Sequence, residues 1–323
     1  MNEPAIAVRP RLVSASTTPP GQPMPPADAA TLSAAEQAYR RVLTAQPRHF
    51  RTLCGLAMIR LQLGDIGEAE MLLRQAADAA DAADAPPMLG HAFASLGDGC
   101  RRLGRHRDAI VHYTQALAIH PETSGVLLNI GGCHQAVAQF EPAIQAFQRA
   151  LAHDPRLPEA HYNLGNIYLE TNNWAAAVSH YEQALAGRPD FPQAHNNLAN
   201  ALQKGGRYAE AISHYDEAVR ADPHYAAALR NRGDALRAIK CFDDAIASYR
   251  SALAVASANA ATLNHLATTL TIEGRLDEAG RAYEAALALE PDNIGLQLNY
   301  AAIKRFVADD PRLPLLQALA ARE

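Results

Sequence analysis

The chain lacks a strong charge of either sign, a long apolar run, and paired cysteines. Each absence removes a class of function. Lys and Arg number 29 against 34 Asp and Glu, a net charge of -5, so there is no general attraction to nucleic acid or an anionic membrane. No stretch approaches the ~18–20 apolar residues of a membrane helix. Pro4, Pro10 and charged residues interrupt the opening segment, which therefore lacks the apolar core of a secretory signal. Cys54, Cys100, Cys133 and Cys241 form no C-x-x-C pair, and their spacing suits no zinc site. Reduced thiols in a cytoplasmic protein are the expectation. The sequence contains no G-x-S-x-G, H-E-x-x-H, G-x-x-x-x-G-K-[ST] or G-x-G-x-x-G motif, so no catalytic or nucleotide-binding signature is found. The expectation is a non-enzymatic protein with no cofactor, small-molecule or metal.

What the chain has is a period. Stepping forward by 34 from Ala109 lands on Ala143, Ala177, Ala211, Ala245 and Ala279. Four residues after each comes an aromatic: Tyr113, Phe147, Tyr181, Tyr215, Tyr249, Tyr283. Seven after comes Ala116, Ala150, Ala184, Ala218, Ala252, Ala286. Twelve after come Pro121, Pro155, Pro189, Pro223, then Ser257, then Pro291; twelve before come Gly97, Gly131, Gly165, Ala199, Gly233, Ala267. Small residues allow two helices to approach closely, and the aromatic fills the space between them. The proline lacks an N–H, so it ends the second helix. Gly104, Asn172, Gly206 and Gly274 mark the turn inside a unit, where a left-handed residue closes a helix. Each unit is helix A, turn, helix B.

The stretch "HYNLGNIYLETNNWAAAVSHYEQALAGRP" (residues 161–189) resembles the tetratricopeptide repeat almost throughout, and the likeness covers nearly everything after Thr31. It implies an all-α fold, a right-handed solenoid of stacked antiparallel helix pairs with a concave groove lined by A helices. The ends are less regular. Ser33–Pro47 reads as a lone B helix, and Ile294–Phe306 as a lone A helix. Between Ala69 and Ala109 the step is 40, which places a six-residue insertion within "DAADAADAPPML". About seven full repeats plus half units at both ends are expected. The domain reading is a disordered Pro/Ala-rich arm over 1–30, where Pro19, Pro20, Pro23, Pro25 and Pro26 crowd together. The repeat superhelix follows over 31–308, and a C-terminal capping tail over 309–323.

Asparagine is a poor helix former, yet it recurs in the A helices. When the small residue of helix A (Gly165, for example) is position 8, positions 4, 7, 8 and 11 face the partner helix. Position 6, about 200° round from the neighbouring core positions, holds Asn129, Asn163, Asn197, Asn231, His265 and Asn299. Position 9, on the same face, holds Asn166, Asn200, Asp234 and Thr268. An amide offers an acceptor and two donors, so such a row can bond the backbone of an extended peptide. A similar ladder marks the repeat superhelix of O-GlcNAc transferases, which hold extended polypeptide; the resemblance implies the same use here. Tyr162, Gln193, Asn196, Arg230 and Asn264 would tune the choice of partner. Replacing Asn163, Asn197 and Asn231 together by Ala is expected to abolish binding with helicity unchanged.

Other readings are weaker. A carboxylate clamp needs converging cations, and Arg230 is the only strong base at the corresponding sites, so no selective binding of an acidic chain terminus is expected. His112, His180 and His214 lie in different repeats, too far apart to share a metal, and read as half-exposed surface residues. The basic cluster "CRRLGRHRD" (residues 100–108) falls at a solvated turn without interleaved aromatics, which disfavours nucleic acid. Trp174, in a helix capped by Asn172 or Asn173, reads as core. The final segment "NYAAIKRFVADDPRLPLLQALAARE" resembles the junction in bacterial tetratricopeptide–sulfotransferase proteins. The leading expectation is a scaffold that holds an extended segment of another protein. The alternative is the substrate-recognition arm of a glycosyl- or sulfotransferase whose catalytic domain is absent from this chain. Self-association through the convex face or the unpaired ends is a third reading.

Overall fold

Alternating small and aromatic positions at a fixed period build one helical hairpin per unit. The computed structural model describes residues 29–79, 86–121 and 123–304. The proline-rich arm up to residue 28, the insertion at 80–85, residue 122 and everything after 304 lie outside the described residues, including the proposed capping tail and the sulfotransferase-like junction beyond residue 304. Among the described residues there are sixteen α-helices and no strand. These residues divide into two compact units, one up to Ser95 and one from Leu96.

The first unit contains α1 (Ala29–Ala45), α2 (Phe50–Gln62), α3 (Ile66–Ala79) and the first part of α4 (Pro86–Arg102). The lone B-type helix expected at the start is α1, and it opens at Ala29. Its Tyr39 lies against Gly55 of α2, where a Cβ would meet the ring at 2.8 Å. The degenerate first repeat still buries Leu53, Leu56, Ala69, Leu73 and Ala76. Arg60 ties this unit together by ion pairs to Glu36 at 3.3 Å and Asp65 at 2.9 Å, and to Glu68.

The second unit takes the rest of α4 and five complete hairpins. Helix α5 (His106–Ile119) follows α4. The pairs are α6 (Ser124–Ala136) with α7 (Phe140–His153), α8 (Pro158–Glu170) with α9 (Trp174–Gly187), and α10 (Pro192–Lys204) with α11 (Tyr208–Ala221). Then come α12 (Ala226–Ala238) with α13 (Phe242–Val255), α14 (Ala260–Ile272) with α15 (Leu276–Leu289), and the unpaired α16 (Ile294–Ile303). Counted through both units, seven helix pairs stand between two single helices. The core is the predicted one: Tyr113, Phe147, Tyr181, Tyr215 and Tyr249 are fully buried. A Cβ at Gly97, Gly131, Gly165 or Gly233 would fall 2.6 Å from the matching ring, so close packing accounts for glycine there.

The turn shows where backbone demand outruns sequence. Gly104, Asn172, Gly206 and Gly274 have positive φ, as their residue types suggest. Ala138 (φ 58°) and Lys240 (φ 64°) occupy the same place in their repeats and adopt the same conformation. Their neighbours impose it, because the αL state disfavours a Cβ. Asn173, rather than Asn172, caps α9 by accepting from the Ala176 N–H at 3.3 Å.

Candidate functional site

The A-helix asparagines are spent differently from the sequence expectation. Position 9 is the centre of a relay, and it collects bonds from two directions. Asn166 Oδ1 accepts from the Tyr181 hydroxyl at 2.7 Å and from Asn197 Nδ2 at 2.9 Å. One repeat on, Asn200 Oδ1 accepts from Tyr215 at 2.6 Å and from Asn231 Nδ2 at 3.2 Å. Asp98 Oδ1 accepts from Tyr113 at 2.6 Å and from Asn129 Nδ2 at 2.9 Å. Asp234 Oδ1 accepts from Tyr249 at 2.7 Å, and His265 Nδ1 lies 2.8 Å from it. Each relay joins the core tyrosine of one repeat to the position-6 residue of the next. Burial pushes the hydroxyls of Tyr113, Tyr181, Tyr215 and Tyr249 well above their ordinary value, which keeps them protonated donors.

Position 6 therefore does not simply point away from the fold. Asn197 Nδ2 also reaches the Tyr162 hydroxyl at 3.3 Å, and its Oδ1 accepts from Asn196 Nδ2 at 3.0 Å. Asn231 Nδ2 also reaches Asn196 Oδ1 at 3.1 Å, and its own oxygen accepts from Arg230 at 3.1 Å. Asn196, expected to select partners, is 5% exposed and locked between these two amides. Asn299 donates to Asn264 at 3.3 Å, because Thr268 is occupied with Tyr283 and with the Asn264 carbonyl. His265 keeps its rung by meeting a carboxylate. Burial works to raise the Asp234 carboxyl, but hydrogen bonds from His265 and Tyr249 outweigh it and hold the group below its ordinary value. Gln193 is exposed. The Tyr162 ring lies tilted against Phe191, centroids 4.7 Å apart.

One rung is missing. In the repeat of α6 and α7, position 9 is Gly132 and the core aromatic is Phe147, which has no hydroxyl. Among the described residues no hydrogen bond reaches the Asn163 side chain. A cavity of about 360 Å³ lies there, lined by Arg101, His106, Leu128, Asn129, Gly132, Glu159 and Asn163. A second cavity of about 350 Å³ has Leu169, Trp174, Asn200 and Asn231 among its lining residues. Adding 68 to Arg101, His106, Gly132 and Asn163 gives these same four positions, two repeats away. The two are the same place in the fold, one with the position-9 amide and one without. Trp174, expected in the core, is 37% exposed and borders the second cavity. The sequence signal for the break was the coincidence of Gly132 and Phe147 in one repeat.

Of the three helix-B histidines, only His112 departs from the half-exposed expectation. His112 is buried and contacts Gln115 at 3.2 Å. His180 and His214 are half-buried, and each meets a histidine of its own hairpin: His161 and His180 Nδ1 atoms are 3.1 Å apart, His195 and His214 3.2 Å. Nε2 of His161 lies 3.1 Å from the Pro155 carbonyl and that of His195 3.0 Å from Pro189. The carbonyl takes the N–H, so each Nδ1 lone pair accepts from the partner ring. The matching pairs elsewhere are Phe93/His112, Leu127/Ala146, Leu229/Ser248 and Leu263/Ala282, so the helix-A histidine occurs only where helix B also has one. No group of three or more metal-ligating side chains occurs among the described residues. No helix of the described residues is long and apolar enough to cross a membrane. None of the four cysteines, all among the described residues, is in a disulfide, and burial pushes the Cys54 and Cys133 thiols up to about 11.

No curated protein matches the chain. Solved structures resemble it at low identity. The C-terminal part of a tetratricopeptide repeat-containing protein of Cytophaga hutchinsonii superposes with a TM-score of 0.61 at 17% identity, over 78% of this chain and 99% of that one. The pilF protein of Pseudomonas aeruginosa gives 0.57 at 19%, over 72% and 97%. YrrB, described as a tetratricopeptide protein with an unusual peptide-binding site, gives 0.51 at 20%, over 57% and 95%. At such identities the likeness establishes the fold alone, an all-α repeat solenoid. Two family models, each described as a tetratricopeptide repeat, match residues 48–122 and 124–190, and residues 166–226, 196–254 and 240–294. Between them they run from residue 48 to residue 294, well over half of the 323 residues, and the chain belongs to the tetratricopeptide repeat family.

Proposed function

We propose that the A-helix face is a groove that holds an extended segment of another protein, and that its grip is centred on α6 and α8. The family is in general a protein-interaction scaffold, and YrrB shows that the fold can carry a peptide site. The observation that carries the reading is the distribution of unspent hydrogen-bonding capacity. Asn197 and Asn231 each have two acceptors for Nδ2 and a donor for Oδ1. Asn129 spends only one N–H, on Asp98, and Asn163 spends nothing. Both line the 360 Å³ cavity. The remaining ladder residues, Asn166, Asn200, Asn299, Asn264 and His265, serve mainly to hold that face in shape, with exposed Gln193 and half-buried Tyr162 and Arg230 flanking the path.

Photo-crosslinking tests this. A benzoylphenylalanine placed at Glu159, beside the cavity, should link to one short stretch of a partner protein. The same group at Glu182, an exposed position on helix B of that repeat, should not. Crosslinks from Glu182 alone, or only between copies of this chain, would remove the groove reading and favour self-association.

A further inference from the structure

The cavity at Gly132 lacks the side-chain oxygen that its equivalent holds. In the equivalent cavity two repeats later, Asn200 places an sp² oxygen between the Tyr215 hydroxyl and the Asn231 amide. At Gly132 no side chain brings that oxygen, and the donor that would meet it, Asn163 Nδ2, has no acceptor. Other groups around it add donors. Arg101 lines the cavity; it also meets the Tyr113 hydroxyl and lies 4.0 Å from Asp98. His106 also lines it, and its buried Nδ1 has no hydrogen-bond partner. The one acid there, Glu159, is paired with Arg188 at 3.0 Å. An uncommitted amide and a guanidinium that line one recess, with ample room for an Asx side chain, recognise a planar oxygen, and charge favours a carboxylate.

We propose that this cavity is an anchor site for the carboxylate of an Asp side chain, with the Asn carboxamide as a weaker ligand, supplied by the segment in the groove. The inference rests on the groove reading for the source of that side chain, but the site itself can be tested alone. The control variant fills the rung in cis: Gly132→Asn with Phe147→Tyr. Gly132 is inside α6, and a Cβ there meets nothing within 4 Å, so the double variant should fold.

The first readout is the Asn163 side-chain amide in a ¹⁵N spectrum of the full chain, assigned by its loss in Asn163→Ala. Sodium acetate should shift it saturably, acetamide more weakly, and sodium chloride at equal ionic strength not at all. In Gly132→Asn/Phe147→Tyr the acetate response should vanish. An Asn163 signal that ignores acetate, or one that responds equally in the filled variant, overturns the site. The second readout uses fluorescent Gly/Ser decapeptides with one central Asp, Asn or Leu. The Asp peptide should bind at least tenfold tighter than the Leu peptide, and the filled variant should erase the difference. Equal binding of Asp and Leu peptides overturns the anchor and leaves the groove standing. An acetate response with no binding of any peptide sustains the anchor and sinks the groove.

Discussion

Replacing Asn197 and Asn163 separately by alanine should move stability in opposite directions, although the two occupy the same position of adjacent repeats. Asn197→Ala removes two donated bonds, to Asn166 at 2.9 Å and to Tyr162 at 3.3 Å. It also strands the amide of Asn196, which is 5% exposed and now lacks its acceptor. A net ~1 kcal/mol for each lost bond and ~1 kcal/mol for the stranded donor is offset by ~0.5 kcal/mol of helix propensity gained by Ala over Asn. The result is a loss of about 2.5 kcal/mol. Asn166 is not stranded, because Tyr181 still donates to it. Asn163→Ala loses no internal bond, so only the propensity term remains, a gain of about 0.5 kcal/mol. Stability in a repeat array is local and summed over neighbours, so amide hydrogen exchange in α8 and α10 is the appropriate assay. Protection should drop by about fiftyfold to a hundredfold in Asn197→Ala and rise slightly in Asn163→Ala. Equal effects of the two would refute the relay. The same arithmetic makes the Asn163/Asn197/Asn231 triple alanine variant a poor test of binding, since two of its three changes loosen the scaffold.

Three further outcomes follow from the same geometry. Tyr249→Phe should cost about 2 kcal/mol at pH 7, because its acceptor Asp234 is charged, whereas Tyr215→Phe, with a neutral acceptor, should cost about 1 kcal/mol. Asp234 is held below its ordinary value, so its contribution is present above the unfolded value near pH ~4 and lost as pH falls below it. Urea titrations should show the Tyr249→Phe deficit shrinking in that acid range while the Tyr215→Phe deficit stays constant. Ala138→Gly should stabilise by about 0.5–1 kcal/mol by relieving a left-handed Cβ, and a melting temperature that falls would contradict this. Burial, then the neighbouring His161 or His195, lowers the pKa of His180 and His214, so the unfolded chain binds protons first. Stability should decline as pH falls from ~6.5 toward the folded values and level off below them. Changing both pairs to the Leu/Ala found at Leu127 and Ala146 should flatten that slope, and an unchanged slope would place its origin elsewhere.

The fold was legible because its causes are local and repeated. Ala, Gly and aromatic positions declare themselves at a step of 34, and packing two helices uses nothing beyond them. The site was legible only by half. Position 6 is visible as a row of asparagines, but helix periodicity alone sends its amides outward. The spacing shows the tyrosines only as space-fillers, whereas their hydroxyls reach fifteen residues back to position 9. A hydroxyl inside a close-packed core must find a partner, and that rule would have linked the two rows. The His161/His180 pair escaped because one member is in each helix of the hairpin, so neither helix alone shows it. Ala138 and Lys240 hid two of the turns, because position in the repeat, not residue type, decides their backbone.

Counting asparagines therefore overstates the grip of the groove. A partner that approaches Asn197 or Asn231 must break an internal bond for each one it makes, and the exchange is nearly neutral. At Asn163 the amide gives up only water, so a new bond there adds net affinity. The repeats that look most like a ladder bind each other, and where the ladder fails the Asn163 amide makes no internal bond. Affinity for a partner should then depend on α6 and α8 far more than on α10 and α12, even though the last two carry four of the asparagines, Asn196, Asn197, Asn200 and Asn231.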